Sequence, residues 1–211
     1  MNTKVSILFT LALAVLIASC GGKKSNTEET TTEESTEAAV AATYTVDTLA
    51  STVSWSGEVA GVYGHNGEIE IAEGTVSTLG DSITGATVVI DMTTIQPMDS
   101  ASYKDEDGRR ASDLVAHLST GDFFLVEENP TSTFVIKSHN GSELVGDLTV
   151  RGITKEETAT ISSLEVGPEG LSAKADLVFN RQDYEVSWEH FMEDMVLSDD
   201  IKISLEIVAK P

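Results

Sequence analysis

The sequence predicts an all-β domain, an antiparallel barrel of about eight strands with one short helical insertion. From Tyr44 onward, apolar side chains recur at every second position in short segments, as in strands with one buried face. Residues that readily form tight turns separate these segments. Only the interval from Asp105 to Ser119 departs from this pattern, because it places Leu114 and Leu118 four residues apart. That spacing predicts a helix.

The first residues of the chain are typical of an export signal. Lys4 supplies a positive charge, and residues 5–18 are apolar except for Ser6 and Thr10. This apolar stretch is shorter than the roughly 20 residues that a membrane-spanning helix needs. We therefore expect residues 1–19 to form a signal peptide.

Cys20 is the only cysteine in the chain and follows the sequence Leu-Ile-Ala-Ser. Residues 16–22 resemble a bacterial lipobox, which implies cleavage before Cys20 and a diacylglycerol thioether on its sulfur. Two or more acyl chains bind a membrane stably, whereas one chain gives only marginal binding. We expect a lipid-anchored protein of the cell envelope, periplasmic or at the outer membrane, without a transmembrane helix. An incidental thiol is the alternative.

Residues 20–43 lead from this cysteine to the predicted barrel. Val40 is their only large apolar side chain, and Ser, Thr, Glu and Ala dominate the rest. Such a segment buries too little surface to offset the entropy lost on ordering. We expect a flexible, acidic tether over residues 20–43 and one folded domain over residues 44–211.

The charge balance limits the partners of this protein. The chain has 13 Lys and Arg against 35 Asp and Glu, a formal net charge of -22. Phosphate backbones and anionic membrane surfaces are repelled by such a chain. We therefore expect no nucleic acid partner, and a ligand that is neutral, apolar or small.

The predicted strands are defined by apolar residues that share a buried face. In chain order these are Val53, Trp55, Gly57 and Val59; Ile69 and Ile71; Ala86, Val88 and Ile90; Phe134 and Ile136; Leu144, Gly146, Leu148 and Val150; Leu171, Ala173, Ala175, Leu177 and Phe179; Ile201, Ile203, Leu205 and Ile207. Turn signals lie at Gly80 with Asp81, at Asn140 with Gly141, and over residues 168–170. Closing consecutive hairpins into a barrel removes exposed strand edges. A β-sandwich is the alternative.

Five separated blocks of sequence resemble one known family. They are Tyr44 to Trp55 with Gly64, His65 and Gly67; Asp91 to Ile95; His117 to Phe124 with Pro130 to Phe134; Gly146 to Lys155; and Asn180, Arg181 and Tyr184 with Asp199 to Ile201. Together they resemble the YceI-like family over residues 44–209. The resemblance implies a lipocalin-like barrel whose long internal pocket takes a polyisoprenoid chain. Arg151 and residues 188–193 depart from the family pattern, at the expected pocket mouth.

Two of these blocks also have purely structural interpretations. Residues 117–124 are expected mainly to cap the short helix and to insert two aromatic rings into the core. Gly152 is expected to form a tight turn between strands, because glycine tolerates the backbone angles required there.

No catalytic or metal site is indicated. The four histidines, His65, His117, His139 and His190, match no local metal-ligand spacing. Nucleophile elbows, phosphate-binding glycine loops and paired redox cysteines are missing from the sequence. We expect no enzyme activity, no metal and no cofactor other than a bound isoprenoid lipid.

The inward side chains decide whether such a barrel is filled or hollow. Small residues at Gly57, Ala86, Gly146, Ala173 and Ala175 predict a narrow apolar tunnel, unless the helix and loops fill the space. The predicted pocket residues are Trp55, Ile69, Val88, Ile90, Phe134, Ile136, Leu148, Val150, Leu177, Phe179, Ile203 and Leu205. Candidate contacts to a lipid head group are His65, Arg151 and Arg181, since arginine pairs bidentately with phosphate.

The predicted function is therefore to bind or carry a long apolar lipid, of polyisoprenoid or isoprenoid quinone type, at the cell envelope. Membrane attachment is expected through lipidated Cys20. The alternative is a non-enzymatic envelope scaffold or interaction protein with a filled barrel. An isomerase or hydrolase is the least favoured function. The oligomeric state is left open by the sequence.

Overall fold

The structure is a computed structural model that describes residues 39–59, 63–188 and 196–211. The predicted signal peptide, Cys20 and His190 lie outside the described residues, as does most of the predicted tether. The first strand begins at Ala41, before Tyr44. Residues 41–43, at the end of the predicted tether, thus belong to a strand. Their small side chains permit the backbone pairing with residues 77–79.

The described residues form strands with one α-helix, as predicted. The strands are β1 (Ala41–Val46), β2 (Thr52–Val59), β3 (Tyr63–Ile69), β4 (Ile71–Leu79), β5 (Ser82–Asp91), β6 (Gln96–Pro97), β7 (Thr131–Asn140), β8 (Glu143–Val150), β9 (Ile153–Gly167), β10 (Gly170–Asn180) and β11 (Leu197–Lys210). The helix α1 is Ala111–Leu118. Short 3-10 turns lie at Met92–Thr94, Ser100–Ser102 and Arg181–Tyr184.

Eight strands close into an antiparallel barrel. Their order is β1, β4, β5, β7, β8, β9, β10 and β11, and β11 returns to pair with β1. Strands β2 and β3 pair with each other and extend β1 and β4 along the barrel, and β2 also pairs with β11. The predicted barrel is confirmed, and the β-sandwich alternative is wrong because the sheet closes on itself.

The hairpin turns lie where the sequence predicted them. Gly80 (φ 59°) and Gly141 (φ 66°) adopt the left-handed conformation between β4 and β5 and between β7 and β8. Residues 168–169 connect β9 to β10. Arg151 (φ 51°) and Gly152 (φ 74°) form a two-residue turn between β8 and β9, which is the turn geometry that hairpins favour.

One half of the barrel interior is filled by the chain itself. At the end that carries the β4–β5, β7–β8 and β9–β10 turns, the buried side chains include Tyr44, Val46, Val76, Ile83, Ala86, Leu144, Ala159, Leu171, Ile207 and Ala209. The Tyr44 hydroxyl donates a hydrogen bond to the carbonyl of Gly167 (3.0 Å). This end is therefore closed by a packed core.

The opposite end of the barrel is covered by two connections. The longer one runs from Met92 to Pro130 and contains α1, and the other begins with residues 181–188 after β10. The helix begins at Ala111. The carboxylate of Asp113, in its first turn, stabilises this start by accepting a hydrogen bond from the backbone N–H of Arg110 (2.9 Å). No helix within the described ranges is long and apolar enough to cross a membrane.

Candidate ligand-binding cavity

An internal cavity of about 1160 Å³ occupies the half of the barrel beneath the two connections. Strand residues that line it include Val53, Trp55, Gly57, Val59, Ile69, Val88, Ile90, Phe134, Leu148, Val150, Leu177, Phe179, Ile201, Ile203 and Leu205. Nearly all of these side chains are aliphatic or aromatic. The barrel is thus packed at one end and hollow at the other.

Eleven of the twelve predicted pocket residues line this cavity, and Ile136 does not. Ile136 lies opposite Ala86 on β5 and Gly146 on β8, and it packs against the buried core. It follows the same inward alternation as Phe134 but lies farther along the strand, in the filled half. Alternation predicts the direction of a side chain, whereas its height in the barrel decides what it faces.

The small residues predicted to create a tunnel do so only in part. Gly57 lines the cavity, but Ala86, Ala173 and Ala175 are absent from its wall. At Gly146, a Cβ atom would lie 2.5 Å from the carbonyl oxygen of Val135, so glycine serves close packing there. Ala86, Ala173 and Ala175 therefore do not contribute to the cavity, and at Gly146 the neighbouring strand occupies the space that the glycine leaves.

The cover of the cavity is aromatic. His117 on α1 makes edge contacts with Phe123 and with Trp188, each with ring centroids 5.0 Å apart. Leu114 and Leu118 of the same helix also face the cavity. The segment predicted to cap the helix and fill the core thus packs as expected and lines the cavity as well.

A polar cluster of three side chains lies at the edge of the cavity. His65 Nδ1 lies 2.8 Å from Asp99 Oδ2, and the Tyr103 hydroxyl donates to Asp99 Oδ1 (2.8 Å). The rings of His65 and Tyr103 stack with centroids 5.6 Å apart. Both rings line the cavity, and the Asp99 side chain is only 10% exposed. One carboxylate therefore fixes the orientation of two cavity side chains.

Hydrogen bonds keep this carboxylate ionised. Burial raises the pKa of Asp99, but hydrogen bonds from His65, Tyr103 and Ser102 outweigh burial and leave the pKa below its ordinary value. Burial, followed by the hydrogen bond to Asp99, raises the pKa of Tyr103 well above its ordinary value. Because an ionised carboxylate only accepts hydrogen bonds, the proton of a neutral His65 lies on Nδ1.

Two arginines also line the cavity, each beside carboxylates. Arg110 Nε donates to Asp105 (2.9 Å), and Arg110 Nη1 forms an ion pair with Asp107. Arg109 pairs with Glu106 at 3.1 Å. The positive charge at this edge of the cavity is therefore matched by acidic neighbours.

Of the three predicted head-group contacts, only His65 lines the cavity. The guanidinium of Arg151 donates to the backbone carbonyls of Phe123 (3.0 Å) and Glu185 (2.5 Å). It thereby joins the two connections that cover the barrel. Its donors are directed to the backbone.

Arg181 is buried, with 3% of its surface exposed. Its guanidinium donates to four backbone carbonyls, those of Val186 (2.5 Å), Ser198 (3.0 Å), Trp188 (3.2 Å) and Leu197 (3.4 Å). It also pairs with Asp199 at 3.1 Å. This side chain pins the segment after β10 to the start of β11, and it is absent from the cavity wall.

Sequence reasoning missed Asp99 and Tyr103. They lie 34 and 38 residues from His65, in a connection without strand or helix periodicity. Only the three-dimensional return of that connection to β3 brings them together, which local patterns do not encode. Within the described ranges, no group of three or more His, Cys, Asp or Glu side chains could hold a metal ion.

Comparisons with known proteins agree with this architecture. A UPF0312 protein of Staphylococcus aureus (strain MSSA476) is 36% identical over 94 residues, which are 41% of this chain and 55% of that protein. The match thus spans about half the length of the curated relatives. At such coverage, the activity of those relatives is not transferred to this chain.

Two solved structures share the fold. BcnA of Burkholderia cenocepacia superposes with a TM-score of 0.62 at 18% identity, covering 78% of this chain and 99% of BcnA. A polyisoprenoid binding domain from Saccharophagus degradans, implicated in plant cell wall breakdown, superposes with a TM-score of 0.52 at 9% identity, covering 79% and 97%. The model of the YceI-like domain matches residues 44–209, so the family resemblance is confirmed. The chain belongs to the YceI-like family.

Proposed function

We propose that this domain binds one long apolar lipid, of polyisoprenoid or isoprenoid quinone type, inside the barrel, without catalysing a reaction. The observation that carries the proposal is the cavity of about 1160 Å³ with its aliphatic and aromatic wall. Water is poorly held in an apolar cavity, since it needs polar partners. An elongated hydrocarbon matches such a wall and excludes water from it.

The size of the cavity suits a long chain. At about 30 Å³ per non-hydrogen atom, the share of one water in the liquid, a cavity of about 1160 Å³ holds roughly 40 atoms, or roughly eight isoprene units. Each methylene moved out of water contributes about 0.8 kcal/mol. A lipid already in a bilayer is out of water, so exchange between membrane and barrel is close to balanced. That balance suits a carrier.

The comparisons support the same class of ligand. One structural neighbour is described as a polyisoprenoid binding domain, and it shares the fold of this chain. The alternative scaffold function needs a barrel filled by its own side chains. The cavity beneath α1 disfavours that alternative.

The location at the cell envelope is also part of the proposal. A diacylated Cys20 would hold the barrel close to the membrane from which the lipid is taken. Labelling of the producing bacterium with an alkyne fatty acid tests this. We expect label on the wild-type protein and on a Ser25→Ala control, and loss of label with release into the soluble fraction for Cys20→Ser. Label that persists on Cys20→Ser would contradict the anchor.

The lipid-binding proposal is tested by extraction of the purified protein with organic solvent, followed by mass spectrometry. We compare wild type with Ile203→Trp, which replaces an aliphatic side chain of the cavity wall by a bulky indole ring, and with Val178→Trp on the adjacent strand. Val178 is 49% exposed on the outer face, so this control adds the same ring outside the barrel.

We expect polyprenyl or quinone lipid from wild type and from Val178→Trp, and a several-fold lower yield from Ile203→Trp. Thermal unfolding of all three proteins shows whether each is folded. A folded wild-type protein that yields no apolar lipid would contradict the proposal. Equal yields from the two tryptophan variants would place the lipid outside this cavity.

A further inference from the structure

The boundary between the hollow and the filled half of the barrel follows one row of side chains on β5, β7 and β8. The last inward residues of these strands that line the cavity are cross-strand partners of one another, Val88, Phe134 and Leu148. The next inward residues toward the closed end are also cross-strand partners, and they are absent from the cavity wall: Ala86, Ile136 and Gly146. These three residues form the floor of the cavity on this side.

Ile136 is the one large side chain of this floor. Its partner on β5, Ala86, has a single methyl group, and its partner on β8, Gly146, has no side chain. Strand β7 lies so close to the glycine that a Cβ atom there would be 3.0 Å from Ile136 Cα and 3.0 Å from Phe134 Cε2. The two neighbours of Ile136 therefore have no atoms that could fill the space of its side chain if it were shortened.

The two ends of the cavity differ in polarity. Charged side chains of its wall, Arg109, Arg110 and Asp113, belong to the connection that covers the barrel, whereas the floor is apolar. A polar end group placed against the floor would lose its hydrogen bonds to water without gaining partners, which costs free energy. A bound lipid therefore points its hydrocarbon end toward Ile136 and its polar end toward the cover.

We infer that Ile136 sets the longest isoprenoid chain that the barrel can enclose, because the last unit of the chain abuts this side chain. This inference rests on the proposed function and specifies its ligand by chain length. A longer chain must fold back or leave hydrocarbon outside the barrel, so its extra units gain no further burial. The cavity volume places the limit at roughly eight isoprene units.

The test is a competition among polyprenols from geranylgeraniol to dodecaprenol. The protein is stripped of lipid, equilibrated in detergent with an equimolar mixture of these alcohols, washed, and extracted for mass spectrometry. For wild type, we expect retention to rise with chain length to a maximum at roughly eight isoprene units and to fall for longer prenols.

Variants of the floor should move this maximum. Ile136→Ala removes three carbon atoms, about 90 Å³ at about 30 Å³ per atom, which is about half of one isoprene unit. Retention of the prenol one unit longer than the wild-type optimum should therefore rise several-fold relative to that optimum. Ile136→Val removes one carbon atom and should act in the same direction by less. Val88→Phe adds four carbon atoms just above the floor and should favour shorter prenols.

Ile83→Ala is the matched control. Ile83 is 4% exposed in the filled half, on β5, three positions farther from the cavity than Ala86. This variant loses the same three carbon atoms, but the floor separates the resulting space from the cavity, so the distribution of chain lengths should equal that of wild type. Thermal unfolding shows which variants are folded. Ile136→Val and Val88→Phe decide the question if Ile136→Ala does not fold.

The outcomes distinguish this inference from the proposed function. Three results overturn the inference and leave lipid binding in place: retention by wild type that does not fall up to dodecaprenol, an unchanged distribution in the folded floor variants, or an equal shift in Ile83→Ala. Retention of none of the prenols by the folded wild-type protein overturns lipid binding of this class, and the inference with it.

Discussion

Replacement of Arg181 by methionine tests how the cover of the cavity is held. The side chain is 3% exposed and donates to four backbone carbonyls on two chain segments. Methionine fills similar space but leaves these carbonyls and Asp199 without their donor. Leaving a buried acceptor unsatisfied costs about 1–3 kcal/mol, so the loss of a guanidinium that serves four carbonyls should cost about 3–5 kcal/mol of unfolding free energy.

The assay is urea unfolding followed by tryptophan fluorescence, with hydrogen exchange at the amides of Val186 and Trp188. Arg181→Met should lose about 3–5 kcal/mol, or expose these amides by local opening if the barrel itself stays folded. Arg181→Lys should recover part of the loss, because an ammonium cannot reproduce the guanidinium fork. Arg109→Met removes one exposed ion pair and should change stability by about 0–1 kcal/mol.

The same variant separates a structural role from a head-group role. If Arg181 holds the segment that covers the cavity, its loss should weaken retention of isoprenoid alcohols and of isoprenoid phosphates alike. A loss below about 1 kcal/mol with unchanged hydrogen exchange would refute the structural account. Selective loss of phosphate binding would instead restore Arg181 as a head-group contact.

Three further predictions concern packing, pH and a buried hydroxyl. Gly146→Val should destabilise the barrel by about 1–3 kcal/mol or more in urea unfolding, whereas Gly57→Ala should be tolerated, because its Cβ would meet only one side-chain atom at 3.4 Å. Because the pKa of Asp99 is lowered in the folded protein, its ionised carboxylate contributes stability above pH 3.8, the ordinary value, and this contribution is lost as the pH falls below it. The difference in unfolding free energy between wild type and Asp99→Asn should therefore shrink below pH 3.8. A difference that stays constant with pH would contradict this. Tyr184→Phe removes a hydrogen bond to Glu157 (3.0 Å) and should cost about 1–3 kcal/mol, and an unchanged urea midpoint would argue against that bond.

The barrel could be predicted from sequence because its determinants are local. A strand that buries one face must alternate, and a hairpin turn needs residues that tolerate positive φ, as at Gly80 and Gly141. Leu114 and Leu118 identified helix α1 by their spacing. These features depend on neighbours within a few residues.

The position of the cavity depended on contacts that no local pattern records. Ile136 and Phe134 share one face of β7, yet only Phe134 reaches the hollow half. Arg181 was expected to contact a ligand because arginine pairs bidentately with phosphate. The structure places it beneath the backbone of the following segment, since a buried guanidinium can satisfy several carbonyls at once.

The central claim is that the hollow half of the barrel holds a lipid tail. The most direct measurement is crystallographic density for the protein purified from its own bacterium without added lipid. We predict continuous, elongated density that passes Leu148 and Leu177 and ends near His65. Separate water peaks along that path, or side chains folded inward to close the cavity, would contradict the account.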